Sequence, residues 1–248
     1  MIPVSMSNDC VLGQRFPTAD RGSRRTLSSH ELPRWLLCIP GVNVLVSRLG
    51  ISEFRRRLLH MSPGLLPLLL WFIPHQDPWG PLLINITIMT AVSLIVYAMI
   101  SARLFARPGE GQWSMAVAGY ALPVLAMLLL LPGRSELGLM TLGVIALGDG
   151  SAALGGLAFG GQRLPWNSRK TWTGLVSFFT VASAMSALFY WIEARPTVPF
   201  TVALLIAGTT AFCGAVIESL PIRSHDNLRV GATAALTGTF LQFFLLGW

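Results

Sequence analysis

From about residue 58 to the C-terminus, apolar runs of membrane-crossing length follow one another with only short polar breaks between them. A helix needs about 20 apolar residues to cross the hydrocarbon core. Within lipid, the backbone must satisfy its own hydrogen bonds, which leaves helices or closed barrels. Composition agrees: 53% of the residues are hydrophobic and only 12% are charged, about half the usual charged share. The sequence therefore predicts an all-α fold, a polytopic membrane helix bundle with about seven transmembrane helices. They are expected at roughly 58–74, 80–102, 113–131, 137–160, 171–192, 198–219 and 229–247.

Ahead of the bundle, residues 1–33 are rich in Ser, Arg, Asp and Pro and lack the apolar core of a signal peptide. They are expected to form a disordered cytoplasmic tail, or an over-extended start to the reading frame. Residues 34–52 include an apolar stretch that is short and broken by Pro40 and Gly41, which suits an interfacial or re-entrant segment. Residues 53–248 form the membrane-embedded domain. The arginines sort by loop: Arg55 to Arg57 precede the first span, and Arg103 and Arg107 follow the second. Arg163, Arg169 and Lys170 follow the fourth, and Arg223 and Arg229 follow the sixth. The alternate loops, around His75 to Trp79, Arg134 and Arg195, hold at most one cation each. By the positive-inside tendency the N-terminus is cytoplasmic and the C-terminus outside, as in a multi-pass protein of a prokaryotic cytoplasmic membrane. The net charge of +7 sits between apolar segments rather than on one basic face, so nucleic acid is not an implied partner. Cys10, Cys38 and Cys213 share no disulfide or metal spacing.

Three polar stretches then fall on the same side. SEFRRRLLHMSPG (52–64) holds Glu53, the arginines and His60. GDGSAALGGLAFGGQRLPWNSRKTWTG (148–174) holds Asp149, a glycine series and the chain's only lysine. VIESLPIRSHDNLRVG (216–231) holds Glu218, Asp226 and Asn227. Carboxylates and an amide oxygen suit Mg²⁺, which shares oxygen ligands with phosphate. Arginines and a lysine neutralise polyphosphate, and glycines let backbone N–H groups approach it. Each piece also has a plainer role. Helix glycines more often serve close packing, and flanking arginines serve topology. An intramembrane acid such as Asp149 is costly enough to suggest function. The GGQRLPWNSRKT stretch is not a P-loop, and GDGSAA lacks the strand–turn–helix context of a dinucleotide fingerprint.

These blocks, in this order, resemble the CTP-dependent polyprenol, dolichol and phytol kinase family, related to the phosphatidate cytidylyltransferases. EFRRRLLHMSPG resembles the family's E-x-x-R-K-x-x-H-x-x-x-G segment, with Arg57 where lysine is usual. The central block resembles G-D-x-x-A-x-x-x-G-x-x-x-G followed by L-P-x-N-x-x-K-[ST]-x-x-G. ESLPIRSHDNLRVG resembles E-S-L-P…D-D-N-x-x-V-P, with His225 in place of the first aspartate and Gly231 in place of the proline. The resemblance implies phosphoryl transfer from CTP, or another nucleoside triphosphate, to a membrane lipid alcohol, either an isoprenoid or diacylglycerol. A divalent cation such as Mg²⁺ would be held by Asp149, Glu218 and Asp226, and Lys170 would complete the catalytic set. The nucleotide would lie against Gly148, Gly150, Gly156, Gly160, Arg163, Asn167, Arg169, Lys170, Thr171 and Asn227, with Arg56, Arg57 and His60 in support. The alternatives are a cytidylyltransferase making a CDP-lipid, and a non-catalytic lipid-binding or transport relative.

Overall fold

The computed structural model describes residues 41–72, 87–93, 95–97, 113–222 and 225–247. The proposed tail, most of the second span, the loop around His75 to Trp79, Arg103, Arg107, Arg223 and Trp248 lie outside the described residues.

Helix α1 (Val42–Leu49) ends at Gly50, whose φ of +78° turns the chain into α2 (Ile51–Met61). Glu53 pairs with Arg56 and Arg57, one turn on, at 2.9 and 3.3 Å, a spacing that supports helix. The arginine triplet therefore lies inside a helix that starts at residue 51, where the sequence led us to expect it ahead of a span starting at 58. Pro63 and Gly64 tighten the next turn into a 3₁₀ segment (Ser62–Leu65) before α3 (Leu66–Trp71). After helical residues 87–93 and 95–97 come α4 (Trp113–Leu130), α5 (Ser135–Gly143), a π-helical turn (Val144–Gly148) and α6 (Asp149–Phe159). The expected polar loop after the fourth span is instead a small antiparallel hairpin, the one departure from an all-α fold among the described residues. Its strands are β1 (Arg163–Leu164) and β2 (Asn167–Thr171), with Arg163 opposite Thr171. Helices α7 (Trp172–Glu193), α8 (Phe200–Ser219) and α9 (Asp226–Leu246) complete the bundle.

Among the described residues, four helical stretches are long and apolar enough to cross a membrane: Ser135–Phe159, Trp172–Glu193, Phe200–Ser219 and Asp226–Leu246. The first is the hub. In its most apolar window 78% of residues are buried, against 33–39% for the other three, whose Val176, Leu205, Phe212, Leu236 and Phe244 face outward. An exposed apolar surface of this kind suits lipid rather than water. Around the hub, Val144 and Ile145 pack with Phe178, Ala211 and Val230.

Two seams fix the packing. Between α4 and α9, a methyl group at Gly231 would stand 2.5 Å from Pro123 Cγ. The residue that departs from the family pattern thus makes room for a proline inside the facing helix. At the end away from the hairpin, Tyr190 donates to Gln242 Oε1 and Gln242 donates to Glu136 Oε1, both at 3.0 Å. Ser135 donates to Glu193 Oε1 at 2.9 Å beside them. Satisfied in this way, the buried polar groups fasten three spans.

Candidate active site

At the hairpin end, the π-helical turn delivers Asp149. An extra residue in one turn rotates everything after it, and such turns recur at functional sites. Glycines on either side hold that rotation. A methyl group at Gly148 would stand 2.6 Å from Phe178 Cζ, and one at Gly150 would run into Met61. The helix is therefore clasped between α7 and α2 at the residue that carries the carboxylate. In the described state both glycines serve packing, as does Gly156 against Thr171 and Gly174. Gly160, with φ +67°, has open space around it.

Asp149 Oδ2 lies 3.4 Å from His60 Nε2. Arg57 and Lys170 are also within its electrostatic reach. Arg57 Nε is buried with no hydrogen-bond partner, and the buried His60 Nε2 has only its long contact with Asp149. Buried donors in that condition are costly and mark where an anion or hydroxyl would be welcome. His60 is held by Tyr120, which donates to the His60 carbonyl at 3.1 Å and meets its ring edge-on at 5.0 Å. Tyr120 escaped the sequence reading because a single tyrosine in an apolar span looks like an ordinary membrane aromatic.

The hairpin brings up the lysine. Trp166 donates to Ser219 Oγ at 3.1 Å and Asn167 donates to the Ser219 carbonyl at 2.9 Å, so the turn is pinned to the end of α8. Lys170 then forms an ion pair with Glu218, which is buried. Asn167 also accepts from the Arg169 backbone N–H, and Arg163 donates to the Ser168 carbonyl. Thr171 caps α7 by accepting from the Gly174 N–H at 3.1 Å. Asp226 opens α9 and pairs with Arg229 at 3.0 Å. His225 sits at the N-cap of the same helix with no side-chain cap bond. Asp149 and Asp226 both lie within electrostatic reach of Glu218.

A cavity of about 440 Å³ joins part of this set to an apolar interior. Arg56, Arg57, His60, Asp149, Asp226 and Asn227 line its polar end. Lys170 and Glu218 do not line it, although both interact electrostatically with Asp149, which does. Among the described residues no three His, Cys, Asp or Glu side chains gather closely enough to hold a metal ion. Each carboxylate is met by a cation instead.

Comparison with known proteins gives the chemistry a family. Over 215 residues the chain is 30% identical to the phytol kinase of Synechocystis sp., covering 82% of this chain and 86% of that protein. It belongs to the phytol kinase family. Phytol kinase 1, chloroplastic, of Arabidopsis thaliana is 27% identical over 214 residues, 77% of this chain and 67% of the relative. Farnesol kinase, chloroplastic, of the same plant is 25% identical over 213 residues, 80% and 69% of the two chains. No family model matches the chain, and no solved structure matches it. A phytol kinase family member is a lipid kinase.

Proposed function

We propose that this kinase transfers the γ-phosphoryl group of CTP, or another nucleoside triphosphate, to the hydroxyl of an isoprenoid alcohol dissolved in the membrane, at the cytoplasmic face. One observation carries the reading. Asp149 stands where a cation-rich, hydrogen-bonding end meets an apolar cavity, so a headgroup and a hydrocarbon chain are served by one site. In the transfer the acceptor oxygen bonds to the γ-phosphorus as the bond from that phosphorus to the β,γ-bridging oxygen breaks. The nucleoside diphosphate leaves, and the hydroxyl proton passes to a carboxylate or to a phosphate oxygen. Positioning and charge neutralisation supply most of the catalysis for this reaction type.

The donor set fits a magnesium nucleotide better than a free ion. All three acids are oxygen ligands of the kind Mg²⁺ prefers, and a nucleotide would bring the phosphate oxygens that such an ion shares. Bound with the nucleotide, Mg²⁺ would neutralise charge that develops on the phosphate oxygens. Asp149 and Glu218 would hold it, with Asp226 and Asn227 completing the shell or orienting the alcohol. Lys170 would exchange Glu218 for the β- and γ-phosphates, with Arg163 and Arg169 beside it on the hairpin. His60, beside Asp149, would face the acceptor oxygen, and Arg57 would offer its unpartnered Nε to the arriving phosphoryl group.

The test is an assay of purified protein with radiolabelled CTP and a panel of lipid alcohols. Lipid phosphate with CDP as the second product supports the reading. A CDP-lipid with pyrophosphate would replace it with nucleotidyl transfer.

A further inference from the structure

We infer that the cavity is the acceptor's chain site, open sideways to the bilayer between Leu69 of α3 and Ile95, and that it takes a single prenyl chain with Ala121 at its waist. The inference rests on the kinase reading above and adds where each substrate lies, which chain fits and which residue selects it.

Size comes first. About 440 Å³ lies low in the range of roughly 300–1,000 Å³ typical for one ligand. It will not hold a nucleoside triphosphate and a lipid chain together. Below its polar end the cavity is lined by Leu66, Val92, Val117, Val124 and Leu142, against which a polyphosphate would be desolvated without compensation. The hairpin cations stay outside it. The nucleotide is therefore assigned to the hairpin cations and the alcohol to the cavity, with Asp149, which lines the cavity and interacts with Lys170, common to both.

The hydroxyl has a defined berth. His60 Nε2 is buried 3.4 Å from Asp149 Oδ2, a contact long enough to be replaced by one through a hydroxyl, and Tyr120 fixes the imidazole. A hydroxyl both donates and accepts, so one group there engages both residues. From that berth Val117, Ala121 and Val124, spaced i, i+4, i+7, form one stripe of α4. The stripe descends about 10 Å along the helix. Alanine at its middle leaves width for one chain. At the flank, Leu69 and Ile95 line the cavity yet are 61% and 57% exposed. A tail longer than the stripe can leave between them into the bilayer. The two acyl chains of diacylglycerol diverge at the carbon next to the carbinol carbon, so both would have to pass Ala121 side by side.

The experiment uses full-length protein in nanodiscs and a twenty-carbon prenyl alcohol bearing a diazirine. Cross-links are expected on α4 and α3. Unlabelled fifteen- and twenty-carbon prenyl alcohols should compete, and diacylglycerol should not. Ala121→Phe should lower the ratio of kcat/KM for the twenty-carbon over a five-carbon prenyl alcohol by about tenfold or more, the scale of steric selection in apolar pockets. Leu236→Phe, on the outer face of α9, should leave that ratio where it was. If Ala121→Phe fails to insert, Leu69→Gln at the exposed opening replaces it, and reduced cross-linking is the expected result. Cross-links on the outer faces of α7 and α8, or equal competition by diacylglycerol, overturn the inference while phosphorylation of the prenyl alcohol leaves the kinase reading standing. Failure to phosphorylate any lipid alcohol, with cross-links still on α4, overturns the kinase reading and not the chain site.

Discussion

Removing either half of the Lys170–Glu218 pair should have unequal consequences, because the two partners differ in burial. Lys170 is 29% exposed and Glu218 only 4%. Lys170→Met leaves a carboxylate inside the bundle with no counter-charge. The hairpin cannot carry water to it, since Trp166 and Asn167 still pin the turn to Ser219. Breaking a buried pair from one side costs about 3–5 kcal/mol. At about 2–4 °C per kcal/mol for a chain of this length, the apparent melting temperature should fall by roughly 10 °C. Glu218→Gln leaves a lysine that can turn to water, and the loss should stay near 1 kcal/mol or below, as for exposed pairs. The double variant removes the orphaned charge and should recover most of the loss, since apolar or neutral replacement of an ion pair is often close to neutral. Fluorescence-detected size exclusion after heating measures all three, with phosphorylation assayed in parallel; none of the three should retain significant activity. Equal destabilisation by the two single variants, or a double variant no more stable than Lys170→Met, would refute the reasoning.

Asp149→Asn should nearly abolish phosphorylation while the protein still inserts, whereas Arg169→Ala should cost about 10²–10³-fold, the scale of one preorganised electrostatic donor; a reversed order in the same assay would sink the assignment. His225→Asp should stabilise α9 by about 1 kcal/mol as a new N-cap. It should also maintain or raise activity at low Mg²⁺ by adding an oxygen ligand; a melting temperature below that of the parent speaks against the cap. Gly231→Ala should cost about 1–3 kcal/mol by overpacking against Pro123, and Pro123→Ala should relieve part of it in the double variant, as heating in detergent will show. A single cysteine replacing Gln162 should be labelled from the cytoplasm and a reporter after Trp248 should lie outside, with accessibility from the opposite side in either case reversing the proposed orientation.

Residue order alone determined the solvent, the helical class and the identities of the polar groups. Apolar runs of membrane length permit little else, and Asp149, Lys170, Glu218 and Asp226 stand out because charge inside such a chain is expensive. For the four described stretches long enough to cross a membrane, span positions were legible to within a few residues; elsewhere local chemistry overrode hydropathy. Glu53 drew its arginines into α2, and a polar loop closed as a hairpin on Ser219. Tertiary structure alone decided which polar groups meet. The direction of Asp149 depends on the π-helical turn and on Gly148 and Gly150 being clasped by Phe178 and Met61, contacts between helices far apart in the chain. For the same reason Tyr120 reads as one more membrane aromatic until α4 packs beside His60, and Gly231 reads as a missing proline until Pro123 is found filling its space. Hydropathy is a property of each segment, so sequence carries it; azimuth and partner are properties of pairs of segments, and only packing sets them.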